Sequence, residues 1–158
     1  MDRKPATKIP KNEAEFKKCL ADPWWRVTSG QLYKIMIKGD NNEESLVIPF
    51  IPNDAQLNFL SNLHTRNDIL KARQLGFTTV IQILFLDSCL FRENVRAATI
   101  AQSEDAAKKI FRDKLRFAYD NLPPSLREAM PLKVENTSEL VFAHNNSGIE
   151  VATSVRSG

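Results

Sequence analysis

The residue types best suited to chemistry lie close together at positions 71–79, in the segment KARQLGFTT. Gly76 has no side chain, so the backbone at this point could approach an anion closely. The hydroxyl of Thr78 or Thr79 could ligate a divalent cation, and the two basic residues of the segment could neutralise phosphate oxygens. If a helix begins directly after the glycine, its first amides and its dipole would favour a bound phosphate.

The segment departs at two positions from the common phosphate-binding loop, Gly-x-x-x-x-Gly-Lys-Ser/Thr. Lys71 stands where the first glycine is expected, and Phe77 stands where the lysine before Ser/Thr is expected. The pattern by itself therefore leaves two interpretations open. One is a phosphate-binding loop with a displaced lysine, and the other is an ordinary strand-to-helix turn with a solvated lysine and arginine.

Hydrophobic periodicity and turn residues predict the elements around this segment. Asn12 is a suitable N-cap for a first helix, Asp22-Pro23 ends it, and Pro123-Pro124 ends the last one. The predicted helices cover residues 12–20, 54–64, 78–91 and 104–122, and the predicted strands cover residues 31–38, 46–51, 68–70, 95–101, 132–134, 140–143 and 149–152. The central alternation of strands and helices predicts an α/β fold with a largely parallel sheet and helices on both faces, preceded by an N-terminal helix and a β-hairpin.

Composition limits the class of protein. The chain has 158 residues, of which 42% are hydrophobic and 26% charged, and these values are typical of a globular domain. A formal net charge of +3 permits a polyanionic partner without requiring one. The polar segment 1–11 predicts a flexible tail rather than a signal peptide, and the longest apolar run, 80–91, is too short to span a bilayer. With two cysteines and two histidines that lack metal-ligand spacing, the chain is expected to be soluble and intracellular.

Residues 73–79 also match the form Arg-Gln-x-Gly-x-Ser/Thr-Thr, which is the deviant phosphate-binding loop of the large terminases of tailed bacteriophages. The stretches 16–38, 69–91, 100–121 and 140–154 likewise resemble the ATPase domain of that family, in the expected order. The resemblance implies a P-loop NTPase-like fold that binds ATP and Mg²⁺. It also implies that residues 12–158 form part of an ATPase domain, whose acidic Walker B strand and C-terminal nuclease domain would lie beyond the chain.

The resemblance assigns roles to individual residues. Lys71 is the expected phosphate-neutralising lysine, and Arg73 is a second phosphate contact or a catalytic arginine acting within the subunit. The Thr78 hydroxyl is the expected Mg²⁺ ligand. The rest of the cradle is formed by Gln74, Leu75, Gly76, Phe77 and Thr79.

Two residues outside the loop also correspond to functional positions of the family. Gln56 stands where terminases have a glutamine that binds the adenine edge, and the alternative is a surface glutamine of a helix. Arg156 stands where a catalytic arginine finger reaches the nucleotide of a neighbouring subunit, and the alternative is a solvated arginine near the chain end.

The function implied by the resemblance is ATP-driven translocation of double-stranded DNA into a procapsid in the bacterial host cytoplasm. Its partners would be the small terminase subunit, the portal and the procapsid, with the full-length protein in a homo-oligomeric ring, a pentamer. The chain alone is expected to hydrolyse ATP poorly or not at all. Two alternatives stay open: a helicase-type P-loop motor, and an inactive prophage remnant. A basic run on one predicted helix is either a solvated face or a DNA contact, and it consists of Lys108, Lys109, Arg112, Lys114 and Arg116.

Overall fold

The N-terminal region forms two short helices, α1 (Glu13–Leu20) and α2 (Pro23–Thr28), in the computed structural model, which describes residues 3–38, 44–70 and 76–154. The predicted N-cap is confirmed, because the Asn12 side chain accepts a hydrogen bond from the Glu15 amide at 2.9 Å. Pro23 ends α1 as predicted and also occupies the first turn of α2, where its fixed φ suits a helix and no amide is required.

The segment before α1 lies against α2. Residues 3–11 have no helix or strand, but two tryptophans bind their backbone. The indole nitrogen of Trp24 donates to the Lys4 carbonyl at 2.9 Å, and that of Trp25 donates to the Lys8 carbonyl at 2.8 Å. The predicted flexible tail is therefore attached to α2 by hydrogen bonds along its described part.

The predicted β-hairpin is confirmed. Strands β1 (Lys34–Lys38) and β2 (Ser45–Pro49) pair antiparallel, from Lys34 opposite Pro49 to Lys38 opposite Ser45. The turn predicted at residues 39–42 lies outside the described residues. Helix α3 (Asp54–Ser61) follows, and it ends three residues earlier than the predicted 64.

Helix α4 (Phe77–Phe91) runs through the centre of the core. Its residues Val80, Ile83, Leu86 and Leu90 are at most 1% exposed. The segment is apolar on nearly every side because the core surrounds this helix, so the predicted buried helix is confirmed. The neighbouring elements place side chains around it on several sides.

Four strands form a mixed sheet, with the order β3 (Arg96–Ala101), β6 (Gly148–Thr153), β5 (Glu139–Phe142) and β4 (Leu132–Glu135). Only β3 and β6 pair in parallel, whereas β6–β5 and β5–β4 are antiparallel. The described sheet therefore differs from the largely parallel sheet that the sequence predicts. The cause is the short turns joining β4, β5 and β6, because tight connections join antiparallel neighbours and a parallel pair requires a crossover.

Two further expectations need correction. Residues 68–70 form no strand, and Leu70 is fully exposed, since an isolated tripeptide cannot satisfy its backbone groups without a neighbouring strand. In addition, α4 packs on the sheet face that carries Thr99, while Ile100 on the opposite face is 72% exposed. The described helices thus leave that opposite face of β3 open, in contrast to the predicted covering of both faces.

One long helical rod crosses from the sheet to the hairpin. It consists of α5 (Glu104–Ile110), a π-helical segment (Phe111–Arg116) and α6 (Phe117–Asp120). Ser103 caps its start as predicted, and Asn121 follows its end. The short α7 (Pro124–Ala129) begins directly at the second of the two prolines. Within the described ranges, no helix is both long enough and apolar enough to cross a bilayer.

A buried ion pair attaches α4 to the N-terminal region. The Arg26 guanidinium donates to both carboxylate oxygens of Asp87, at 2.8 and 2.9 Å, and the side chains are 8% and 5% exposed. The Tyr33 hydroxyl donates to the same carboxylate at 2.6 Å. Burial, together with the nearby Asp87 charge, raises the pKa of Tyr33 well above its usual value, so the phenol stays a neutral donor.

Replacing one member of this pair leaves the other charge buried and uncompensated. We expect Asp87→Ala to lower the free energy of unfolding by about 3–5 kcal/mol. Urea denaturation followed by circular dichroism measures this change. The control is Glu13→Ala, which breaks the exposed Lys17–Glu13 pair and should change stability little. Equal effects of the two variants would show that the buried pair contributes no more than a surface one.

Candidate functional site

The glycine of the 71–79 segment marks the start of α4. Gly76 is the N-cap residue and adopts the left-handed conformation, with φ 70° and ψ 21°. Its carbonyl accepts the Val80 amide at 3.1 Å, which closes the first turn. In the part of the chain that the structure describes, no side chain caps this end of α4. The first amides of a 15-residue helix are therefore placed to bind an anion.

Gln56 binds the backbone of this turn. Its side-chain nitrogen donates to the Gly76 carbonyl at 2.8 Å, and its side-chain oxygen accepts from the Asn53 amide at 2.9 Å. The second bond belongs to a capping box that starts α3. Gln56 is 5% exposed, so it is not a surface glutamine. An amide has two donor hydrogens and two acceptor lone pairs, so the predicted contact with adenine stays a prediction.

Phe77 points into the core. It is 9% exposed, and its ring packs edge-on against Phe59 of α3, with 5.9 Å between the centroids. A lysine at this position would have to bury its ammonium group in the same apolar contact, which is costly. The departure of Phe77 from the common phosphate-binding loop is thus explained by packing between α3 and α4.

The two threonines are half-buried in the first turn of α4. The Thr79 hydroxyl accepts a hydrogen bond from the Lys114 ammonium at 2.8 Å. No hydrogen bond to the Thr78 hydroxyl occurs among the described residues. From the sequence, Lys114 is recognised only as a member of a basic run on one helix. Its contact with Thr79 joins residues 35 positions apart, and no local pattern indicates such a contact.

The start of α4 lies at the carboxyl end of the parallel strand pair. Helix α4 and β3 run antiparallel, since Gln82 binds Thr99 at 2.7 Å and Cys89, further along α4, lies 4.0 Å from the Val95 carbonyl. The first turn of α4 is therefore on the side of Ala101, where β3 ends. In open α/β sheets this end is the usual position of a ligand.

Several predicted site residues lie outside the described residues. They are Lys71, Arg73, Gln74, Leu75 and Arg156. The structure therefore places four residues of the predicted cradle, at 76–79, together with Gln56, and the assigned roles of the others stay predictions.

Most of the basic run on the long helical rod is paired with acidic residues. Lys108 binds Glu104 at 2.6 Å, and Arg112 binds Asp113 at 2.7 Å. Arg116 likewise binds two carboxylates, those of Asp120 and Glu135. These contacts favour a solvated, ion-paired face over a dedicated DNA contact for that part of the run.

Neither a scan against models of protein families nor a comparison with curated protein sequences finds a match to this chain. In the described ranges, no group of three or more His, Cys, Asp or Glu side chains is arranged to bind a metal ion.

One buried polar atom near this site has no partner. Gln82 is 1% exposed, and while its nitrogen donates to Thr99, its side-chain oxygen makes no hydrogen bond within the described residues. We expect Gln82→Leu combined with Thr99→Val to raise the free energy of unfolding by about 1 kcal/mol, because the unpaired oxygen is removed and neither partner of the bond to Thr99 is left behind. Thermal and urea unfolding measure the change, with the exposed Gln31→Leu as control. A loss of stability in the double variant would contradict this expectation.

The left-handed conformation at Gly76 restricts which residue types this position tolerates. A β-carbon there would lie 2.7 Å from the Gln56 side-chain nitrogen, and the positive φ disfavours any other residue type. We expect Gly76→Ala to destabilise the chain by about 1–2 kcal/mol from the backbone alone, with the steric contact adding to this cost. A double-mutant cycle with Gln56→Ala separates the two causes, since the steric part should vanish in the double variant. Full additivity of the two substitutions would show that the side chain of Gln56 does not restrict position 76.

Proposed function

We propose that this chain binds ATP with Mg²⁺ at the start of α4, and that it forms part of the ATPase motor of a large-terminase type of protein that moves double-stranded DNA into a procapsid. The observation that carries the proposal is Gly76, which in the left-handed conformation begins a long buried helix with no side-chain cap in the described residues. The helix start faces the carboxyl end of a parallel strand pair, and the KARQLGFTT segment leads into it.

The described residues suit the phosphate part of a nucleotide. The first amides of α4 offer donors to phosphate oxygens. The missing β-carbon at Gly76 makes room for the Gln56 side chain, which would lie 2.7 Å from it and which holds the Gly76 carbonyl. The half-buried Thr78 hydroxyl suits a hard cation such as Mg²⁺, which prefers oxygen ligands. Bound Mg²⁺ would supply charge neutralisation at the β- and γ-phosphates. Gln74, Leu75 and Thr79 complete the proposed cradle.

The positive charge that neutralises the transferred phosphate must come from residues other than position 77, because Phe77 is apolar and buried against Phe59. In the proposal Lys71 neutralises the phosphates, and Arg73 adds a second contact. Gln56 holds the Gly76 carbonyl and binds the adenine edge with its remaining hydrogen-bonding capacity. Arg156 of a neighbouring subunit in a ring reaches the γ-phosphate.

The motor assignment adds partners to the nucleotide site. They are double-stranded DNA, the small terminase subunit, the portal and the procapsid, with a pentameric ring acting at the portal in the bacterial cytoplasm. Support for these partners comes from the sequence resemblance of the loop and its flanking segments. The geometry at α4 supports the nucleotide part of the proposal.

Calorimetric titration with Mg-ATP tests the nucleotide site. We expect measurable binding by the native chain and at least about tenfold weaker binding by Lys71→Ala, because one charge-assisted phosphate contact is lost. The control is Lys11→Ala, an exposed lysine before α1, which should bind as the native chain does. Phe77→Lys is a poor test, since it disrupts the contact with Phe59.

The possible outcomes separate the alternatives. Loss of binding in Lys71→Ala alone supports a phosphate-binding loop with its lysine displaced to the beginning. Native binding that survives in Lys71→Ala assigns the phosphate charge to another residue. No binding by the native chain would contradict the proposed function and favour a remnant that folds without nucleotide.

A further inference from the structure

The geometry points to Lys114 as a nucleotide-binding residue that contacts the terminal phosphate of ATP at the start of α4, and this inference rests on the proposed nucleotide site. Lys114 lies 35 positions beyond Thr79 in the chain, yet its ammonium is 2.8 Å from the Thr79 hydroxyl. It thus brings a positive charge to a loop whose usual lysine is replaced by Phe77. The residue belongs to no part of the phosphate-binding pattern.

The π-helical segment determines where Lys114 lies. Its neighbours Phe111 and Leu115 are 5% and 0% exposed and belong to the core around α4. These two anchors fix the segment against α4, so the direction of Lys114 is set by packing and not by a mobile stem alone. A π-helical turn inside an α-helix is rare, and such turns occur frequently at functional sites.

The electrostatic position of this ammonium favours an anion. The N-terminus of α4 carries the positive end of the helix dipole, and a cation beside it is disfavoured. A phosphate bound between the helix start and the Lys114 ammonium would interact favourably with both. The contact with Thr79 therefore places the Lys114 ammonium where a phosphate at the helix start would meet both groups.

A cleft next to Lys114 has the same charge preference. It has a volume of about 450 Å³ and lies between the hairpin and the long helical rod, with Lys38 and Lys109 among its lining residues. Its acid, Asp113, pairs with Arg112 at 2.7 Å, and that guanidinium lowers the pKa of Asp113 below its usual value. The acid is thus paired with Arg112, and the other charged side chains among the described lining residues are lysines.

Comparison of ATP with ADP tests the contact with the terminal phosphate. Mg-ATP and Mg-ADP are titrated by calorimetry into the native chain, Lys114→Ala and Lys114→Gln. Glutamine can still donate to Thr79 but has no charge, so it preserves a structural hydrogen bond and removes the proposed phosphate contact. The control is Lys108→Ala on the same rod, whose exposed side chain pairs with Glu104.

We expect both Lys114 variants to bind ATP about tenfold more weakly than the native chain, and to bind ADP within about twofold of it. Lys108→Ala should match the native chain for both nucleotides. Thermal unfolding of each variant verifies that it is folded at the titration temperature, and Lys114→Gln retains the test if Lys114→Ala is unstable.

Each other outcome overturns a stated claim. Native ATP binding that Lys114→Gln retains overturns this inference and leaves the proposed function in place. Equal weakening of ATP and ADP assigns Lys114 a structural role and also overturns it. If the native chain binds neither nucleotide, the proposed function fails, and the inference fails with it.

Discussion

The ion pair between Arg26 and Asp87 is the interaction on which the arrangement of the molecule most depends. Burying two charges is expensive, and it is compensated here by a two-point contact and by the Tyr33 hydroxyl bound to the same carboxylate. Asp87 lies in α4, Arg26 in α2, and Tyr33 directly before β1. One carboxylate therefore attaches the central helix to both the N-terminal helices and the hairpin, and it fixes the direction in which α4 points.

The terminal backbone groups at the two ends of α4 differ in their hydrogen-bond partners. At its carboxyl end, the turn between β5 and β6 satisfies the last carbonyls, since the Asn145 side chain donates to Cys89 and Arg92 at 2.8 Å and Ser147 donates to Arg92 at 2.6 Å. At its amino end stands Gly76, which offers no side chain. The backbone groups at one end are thus used for folding, whereas those at the other end stay suited to a ligand.

Packing and chemistry compete at the first residue of α4. Phe77 fills the contact with Phe59, and this stabilises the junction of α3 and α4 but removes the place where a phosphate-binding lysine usually stands. A site built on this helix start would need its positive charge from other segments. Lys71, which precedes α4 in the sequence, and Lys114 on the neighbouring rod are the two lysines proposed for that task.

The local sequence determined most of the helices and strands. Short-range rules predict the caps Asn12 and Ser103, the hairpin, the apolar pattern that buries α4, and the glycine at which α4 begins. Tertiary structure decided the rest. It left residues 68–70 without a strand partner, paired β3 with β6 across 52 positions, buried Gln56 against Gly76, and brought Lys114 to Thr79. Periodicity and capping depend on neighbours within a few residues, and those can be read along the chain. Strand partners and side-chain contacts across 20 or 35 positions depend on which surfaces the packed core brings together, and no local pattern encodes that.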